Sequence, residues 1–215
     1  MPESLQIECF VSPPFGENAY VLTGRTEGKC VVVDPSFETR ALLQWIDEHQ
    51  LTVEAIWNTH GHVDHIAGNA SLKEAFPSAP LIIGEGDAVM LTDAMANLSG
   101  LAGAEITSPP QNKTVAHGEK LTALGYEWEV REIPGHSPGH VVFVCVETTP
   151  PIVIGGDVLF QNGIGRYDFP GGDGLLLRKG IREKLYSLAD ATIVYPGHGP
   201  TTTIGHEKRS NPFTF

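Results

Sequence analysis

The stretch Thr59–His65 (THGHVDH) places three of the nine histidines of the chain, together with one aspartate, within seven residues. Neutral imidazole is the commonest protein ligand of metals, and a carboxylate adds an oxygen ligand. On a helix His60 and His62 would point about 200° apart, so both can reach one ion only from an extended or looped backbone, which the glycine between them permits. Asp64 and His65 are adjacent and can face a second point nearby. Four candidate ligands in six residues therefore predict two metal ions more naturally than one.

Three further stretches could complete such a centre, each at a point where an apolar strand gives way to a turn rich in glycine and proline. They are Pro134–His140 (PGHSPGH), Gly155–Asp157 (GGD) and Tyr195–Pro200 (YPGHGP). Binding residues gather where strands end at a common edge, and glycine lets the backbone approach a ligand. The alternative for THGHVDH is a solvated polar loop, and the three distant turns count against it. The candidate ligands that these turns offer are His136, Asp157 and His198.

The remaining chain alternates short strands and helices in two successive parts. Alternating or continuous apolar runs predict strands over Leu5–Phe10, Ala19–Leu22, Cys30–Val33, Val53–Asn58, Tyr126–Arg131, Val141–Val146, Ile152–Ile154 and Thr192–Tyr195. Helices are predicted over Thr39–His49, Asn69–Phe76 and Gly174–Leu188, and an interrupted helix over Glu85–Gly103. Two β-sheets packed face to face with helices outside would satisfy this order.

Composition narrows the classes of function. The 215 residues predict one domain, and the net charge of −12 argues against a nucleic-acid partner, because Lys and Arg supply most affinity for phosphate backbones. No apolar run reaches the ~20 residues of a membrane span, and the N-terminal MPESLQIECF lacks the basic segment of a signal peptide. We therefore expect a cytoplasmic protein that binds neither membrane nor nucleic acid. The sequence is silent on the oligomeric state.

The three cysteines do not predict chemistry. Cys9, Cys30 and Cys145 lie in apolar, strand-like runs and lack the C-x-x-C spacing of a metal site. Their odd number also argues against a disulfide framework. We expect all three to be small core residues in a reducing compartment.

The order of THGHVDH, a lone His, a lone Asp and a final His resembles the metallo-β-lactamase superfamily. Gly156–Asp173 (GDVLFQNGIGRYDFPGGD) and Tyr195–Phe213 (YPGHGPTTTIGHEKRSNPF) are similar to the short glyoxalase-II-like hydrolases. The resemblance runs from ENAYVL to NPF, essentially the whole chain. It implies an α/β fold, the αββα sandwich of two mixed β-sheets with helices outside, in a single domain over residues 1–215. The C-terminal helical domain that holds glutathione in full-length glyoxalase II enzymes would be missing.

The same resemblance implies a role for each candidate ligand. The residues that hold the first metal would be His60, His62 and His136. The residues that hold the second would be Asp64, His65 and His198. Asp157 would bridge two divalent ions. Zinc is the preferred identity of these ions, and iron and manganese are the alternatives. Water activated between the ions would attack the substrate. Asp64 would also be a catalytic residue, because it would orient that water.

Two other residues near these motifs carry open questions. His140 lies in PGHSPGH, but the ligand set is already complete, so we expect it to make a supporting hydrogen bond. Arg166 either pairs with Asp168 or Asp173 to shape its loop, or binds an anionic part of the substrate. Two tail residues are expected to hold the C-terminus in place, Glu207 and Asn211.

The preferred function is hydrolysis of a small-molecule thioester, S-lactoylglutathione above all, at a dinuclear metal site. The alternative is a persulfide dioxygenase, in which a single iron would be held by His60, His136 and Asp157. A lactonase or a β-lactamase-like hydrolase is the next alternative function. A non-catalytic, metal-stabilised binding module fits less well, because structural sites have closed four-ligand shells and seven ligands around two ions leave positions open.

Overall fold

The first layer of strands is a mixed sheet built from the N-terminal half, here called the N-terminal sheet. The computed structural model describes residues 4–13 and 15–215. The six strands lie in chain order in the sheet. They are β1 (Gln6–Ser12), β2 (Glu17–Thr23), β3 (Lys29–Val33), β4 (Thr52–Trp57), β5 (Leu81–Gly84) and β6 (Lys113–Val115). Strands β1 to β3 pair antiparallel, and β3 to β6 pair parallel.

The second layer, the C-terminal sheet, is also mixed. Its strands are β7 (Lys120–Ala123), β8 (Tyr126–Glu132), β9 (Val141–Cys145), β10 (Ile152–Gly156), β13 (Ile193–Pro196) and β14 (Thr202–Thr203). The order across the sheet is β14-β13-β10-β9-β8-β7, and only the β10–β13 pair is parallel. A separate hairpin consists of β11 (Leu159–Phe160) and β12 (Gly163–Ile164).

Short helices cover the outer faces of both sheets. They are α1 (Thr39–Glu48), α2 (Val63–Ile66), α3 (Asn69–Ala75), α4 (Gly174–Gly180) and α5 (Ile204–Ser210). In α1, Leu42 and Ile46 lie one turn apart and are buried, as the helical period requires. Asp173 caps α4 by accepting hydrogen bonds from the amides of Leu175 and Leu176. Among the described residues, no helix is long and apolar enough to cross a membrane.

The two sheets pack on each other through large aromatic side chains. The Trp57 ring lies 5.3 Å from that of Trp128 and 4.6 Å from that of Phe143, centroid to centroid. Burial of such rings contributes most of the packing energy of a core. Alternate residues of β3 face opposite ways: Val33 faces this inter-sheet core, whereas Val32 faces the helices. The run of valines is therefore buried on both sides.

Separate apolar clusters join each sheet to its own helices. One contains residues of the N-terminal sheet with Leu42 and Leu72, and the other contains residues of the C-terminal sheet with Leu177 and Ile204. The order of layers is thus helix, sheet, sheet, helix. The predicted αββα sandwich is confirmed.

Some local predictions are wrong. The segment 85–103 contains 3₁₀ turns at Glu85–Leu91 and Gly100–Ala102 and no α-helix. Its backbone follows a neighbouring loop, since a Cβ on Gly86 would come within 2.8 Å of Gly139. Cys30 and Cys145 are buried as expected, but Cys9 is exposed, because β1 is an edge strand.

The C-terminal tail is tied to the β11–β12 hairpin, as predicted. The Asn211 side-chain amide donates to the Gly163 carbonyl and to the Glu207 carboxylate, each at 2.9 Å. The buried Glu207 also accepts hydrogen bonds from the Asn162 amide and the Thr202 hydroxyl. These bonds satisfy a carboxylate that would otherwise be costly to bury.

Candidate metal centre

The candidate ligands come together although they are far apart in the sequence. The THGHVDH motif follows β4, and its second half forms helix α2. His136 follows β8, Asp157 follows β10, and His198 follows β13. Glycine at position 61 is required, because a Cβ there would lie 2.4 Å from the Met90 side chain.

The first group consists of His60, His62 and His136. The Nε2 atom of His136 lies 2.9 Å from Nδ1 of His62 and 3.2 Å from Nε2 of His60. All three side chains are buried. Two ligands bound tetrahedrally at 2.0–2.1 Å are about 3.4 Å apart, so these nitrogens are spaced to share one ion.

The second group consists of Asp64, His65 and His198. Oδ2 of Asp64 lies 3.4 Å from Nε2 of His198 and 3.8 Å from Nε2 of His65. Unlike the first group, this one is partly open to solvent: 27% of the His198 side chain and 18% of the Asp64 side chain are exposed. It combines two imidazoles with a carboxylate.

The carboxylate of Asp157 lies between the two groups. Its Oδ2 is 3.5 Å from Nε2 of His136 in the first group and 3.5 Å from Nε2 of His198 in the second. Its Oδ1 is 3.5 Å from Nε2 of His65. One carboxylate is therefore placed within reach of both groups, the arrangement expected of a bridging ligand.

The residues present fit divalent metal ions. Nε2 of His65 and Oδ1 of Asp157 are buried and have no hydrogen-bond partner among the described residues. Buried polar atoms are normally paired, and leaving them unpaired costs free energy. The facing ring nitrogens of the first group cannot all donate hydrogen bonds to one another. A bound cation would give these nitrogens and the unpaired atoms of His65 and Asp157 a partner. Imidazole and carboxylate are ligands of zinc and of iron or manganese alike.

Supporting hydrogen bonds fix which ring nitrogen faces the centre. Nδ1 of His136 lies 2.7 Å from the carbonyl oxygen of Arg166, and Nδ1 of His65 lies 3.1 Å from Oδ2 of Asp34. Each Nδ1–H therefore donates outward, and Nε2 is left with its lone pair toward the centre. His140 accepts a hydrogen bond from the Asp157 amide at 3.0 Å, which confirms its predicted supporting role.

The electrostatics of the two groups differ. Burial, together with the imidazole of His65, holds the pKa of His60 well below its usual value. Burial also lowers the pKa of His62, with His136 adding to the shift. Burial alone would lower the pKa of His65, but the Asp157 and Asp64 carboxylates outweigh it and raise that pKa. The pKa of His198 is raised in the same way, by Asp64 and Asp157 against burial.

Sequence reasoning missed three acidic residues around the centre. Asp34 accepts hydrogen bonds from the Thr59 amide and hydroxyl as well as facing His65. Its position directly after a buried strand was an available signal. Glu17 is fully buried, and its carboxylate lies 3.6 Å from Nδ1 of His65. Burial raises the pKa of Glu17 well above its usual value. Asp87 is the third.

Asp87 joins the two loops that carry the first group. Its carboxylate accepts hydrogen bonds from the amides of Gly61 and Gly139 and from the Ser137 hydroxyl. Gly61 lies between two histidines of the first group, and Ser137 follows the third. The residue lies in a 3₁₀ turn whose sequence gave no sign of this contact.

Arg166 forms the ion pair that is one of its two predicted roles, and binding of an anionic part of the substrate stays a prediction. Its guanidinium makes two 2.9 Å hydrogen bonds to Asp168, and both side chains are largely exposed. The same guanidinium lies 4.1 Å from the centroid of the Phe169 ring. That ring lies 5.5 Å from the His62 ring. The ion pair is therefore formed, and it borders the candidate metal centre.

Fold and site together define a metalloenzyme of the layered αββα class. The sequence model of the Metallo-beta-lactamase superfamily matches residues 12–198. The chain belongs to the metallo-beta-lactamase superfamily, within which it is a metallo-hydrolase.

Similar proteins cover nearly the full length of the chain. Hydroxyacylglutathione hydrolase GloC of Haemophilus influenzae is 37% identical over 213 residues, 97% of this chain and 98% of that protein. The crystal structure of the BLEG-1 B3 metallo-beta-lactamase has a TM-score of 0.91 at 37% identity, over 97% of this chain and 99% of its own. The structure of TTHA1623 in a di-iron-bound form has a TM-score of 0.82 at 36% identity, over 96% and 99%. The resemblance read from the sequence motifs is thereby confirmed.

Proposed function

We propose that the protein hydrolyses small thioesters of the S-lactoylglutathione type at a centre of two divalent metal ions. The observation that carries this proposal is the position of the Asp157 carboxylate, 3.5 Å from a ligand nitrogen of each group. Two ions held by a shared carboxylate form a common arrangement for hydrolysis. The similarity to a hydroxyacylglutathione hydrolase over the whole chain supports this choice of thioester.

In this proposal the first group would hold one ion and the second group the other, and Asp157 would be available to both. When bound, the ions would polarise the thioester carbonyl and make water acidic enough to attack at neutral pH. Asp64, the carboxylate of the second group, would accept a hydrogen bond from that water and orient it. Burial alone would raise the pKa of Asp64, but the imidazoles of His65, His198 and His62 together outweigh it and hold that pKa well below its usual value. A carboxylate with a lowered pKa is ionised at neutral pH and can accept a hydrogen bond.

Two phenyl rings border the centre. Phe169 lies beside His62 of the first group, at 5.5 Å between ring centroids. Phe160 lies beside His198 of the second group, at 6.1 Å. Both are half-buried, so each can contact the apolar part of a substrate while excluding bulk solvent from the ligands. Arg166, on the outer side of Phe169, is the cation proposed to meet an anionic part of the substrate.

The test begins with elemental analysis of protein purified without chelators. We expect about two ions per chain, with zinc as the preferred metal. Release of free thiol from S-lactoylglutathione should stop when a chelator removes the metal and return when metal is added back. About one iron per chain would contradict the dinuclear centre. It would support the dioxygenase if oxygen uptake with glutathione persulfide also outran thioester cleavage.

A second candidate activity is hydrolysis of β-lactams. It is favoured by the similarity to a structure described as a B3 metallo-beta-lactamase, at 37% identity and a TM-score of 0.91. A chromogenic cephalosporin assayed beside the thioester panel separates the two. Thioester kcat/KM above that for the cephalosporin supports the first proposal, and the reverse order replaces it.

A further inference from the structure

The turn that carries His198 is held by a strand of the opposite sheet. His198 follows β13 of the C-terminal sheet, while Asn18 and Tyr20 belong to β2 of the N-terminal sheet. Both β2 side chains are buried. Residue 17 of β2 also forms an isolated antiparallel bridge with His198 itself.

Four hydrogen bonds run from these two β2 residues to the turn. The Asn18 side-chain amide donates to the carbonyls of Pro196 at 3.0 Å and Gly199 at 2.8 Å. The Asn18 backbone amide donates to Gly197 at 2.7 Å, and the Tyr20 hydroxyl donates to Pro196 at 2.7 Å. The accepting carbonyls lie on both sides of His198. The bonds therefore fix the turn before and after the histidine.

The turn cannot hold this position by its own stiffness. Glycine lies on either side of His198, and glycine is the most flexible residue of the backbone. Gly199 has φ of +76°, and a Cβ on Gly197 would lie 2.2 Å from Oδ1 of Asp157. A larger residue at Gly197 would displace the carboxylate between the two groups. The place of His198 therefore depends on contacts from outside the turn.

We infer that Asn18, assisted by Tyr20, is a positioning residue for the second metal ion, which acts by fixing His198. The inference rests on the proposed dinuclear centre and adds to it a dependence of one ion on the N-terminal sheet. The first group has a different support, because Asp87 accepts hydrogen bonds from Gly61 and Ser137. Loss of the Asn18 bonds should therefore weaken the second ion and leave the first in place.

The experiment compares Asn18→Ala and Tyr20→Phe with matched control variants whose hydrogen bonds do not go to the turn. Asn211→Ala removes a buried amide that also makes two hydrogen bonds, and Tyr186→Phe removes a hydroxyl bonded to Thr214. Zinc-loaded proteins are equilibrated with increasing chelator, and the zinc remaining per chain is measured. Thermal unfolding and far-UV circular dichroism are recorded in parallel.

For Asn18→Ala we expect the second zinc to leave at about 10- to 100-fold lower free chelator than in the parent protein. Tyr20→Phe should shift the same step by less, because Pro196 keeps its bond from Asn18. The first zinc should leave at the same point in all five proteins, and both controls should match the parent.

Three results would overturn the inference: no shift in the second step, an equal shift in both steps, or an equal shift in Asn211→Ala. If Asn18→Ala does not fold, Tyr20→Phe alone decides, since it keeps the ring and removes one hydroxyl. A parent protein that holds one zinc would refute the dinuclear proposal instead. The two failures are therefore distinguishable.

Discussion

The first group is buried and contains only imidazoles, whereas the second group contains a carboxylate and is partly open to solvent. Their supports also differ. The first is braced by Asp87 between two adjacent loops, and the second depends on Asp34 behind His65 and on β2 behind His198. A site of this kind has one buried half and one half that is open to water and substrate. The predictions below test whether that division is real.

The largest effect is expected for Asp64→Ala, which removes the only carboxylate that belongs to the second group alone. Thioester kcat/KM should fall about 10³-fold, which corresponds to about 4 kcal/mol of transition-state stabilisation. The first ion and the circular dichroism spectrum should be unchanged, since the first group keeps all its contacts. Asp190→Asn, on the exposed surface, serves as the control. Turnover equal to that of the parent would remove Asp64 from the mechanism.

A reciprocal pair of variants addresses the supports of the two groups. Asp34→Asn weakens the acceptor behind His65 and should lower affinity for the second ion about 10- to 100-fold. Asp87→Asn disturbs the loops of the first group and should lower affinity for the first ion instead. The metal that each variant retains in the presence of chelator shows which of the two ions has been weakened. If both variants lose the same ion first, the division between the groups is wrong.

A pH titration gives a smaller, graded effect. The lowered pKa values of His60 and His62 keep these ligands neutral into acid solution. The raised pKa values of His65 and His198 mean that these take up protons at higher pH. Because protons and metal compete for the same nitrogens, lowering the pH from about 8 to 5 should release the second ion before the first. Metal retained per chain at each pH measures this, and simultaneous release would contradict it.

The smallest effect is expected at the rim, where Asp168 partly neutralises the Arg166 charge. Arg166→Ala should raise KM about two- to five-fold for anionic thioesters and leave neutral thioesters unchanged. Asp168→Asn, which frees the guanidinium, should shift KM for anionic thioesters in the opposite direction. An equal effect on neutral and anionic substrates would assign the pair to loop structure only.

The parts of the site that the sequence predicted are those whose signal is local. THGHVDH is contiguous, and His136 and His198 each stand beside glycine at the end of an apolar strand, so residue type and spacing suffice. Asp87 and Asn18 could not be found this way, because each acts on residues distant in the chain. The 3₁₀ segment at Glu85–Leu91 and the exposure of Cys9 also depend on neighbours, a contacting loop in one case and an edge position in the other.

The bond from Asn18 to Pro196 joins residues 178 positions apart, and this separation bears on how the centre is assembled during synthesis. Contacts between distant residues form late, because the intervening chain must first give up its freedom. A nascent chain that has folded through Asp157 already contains the whole first group, but it lacks His198 and the turn that β2 holds. The two ions would therefore be acquired in a fixed order. The second group would bind its ion only after the two sheets have packed together.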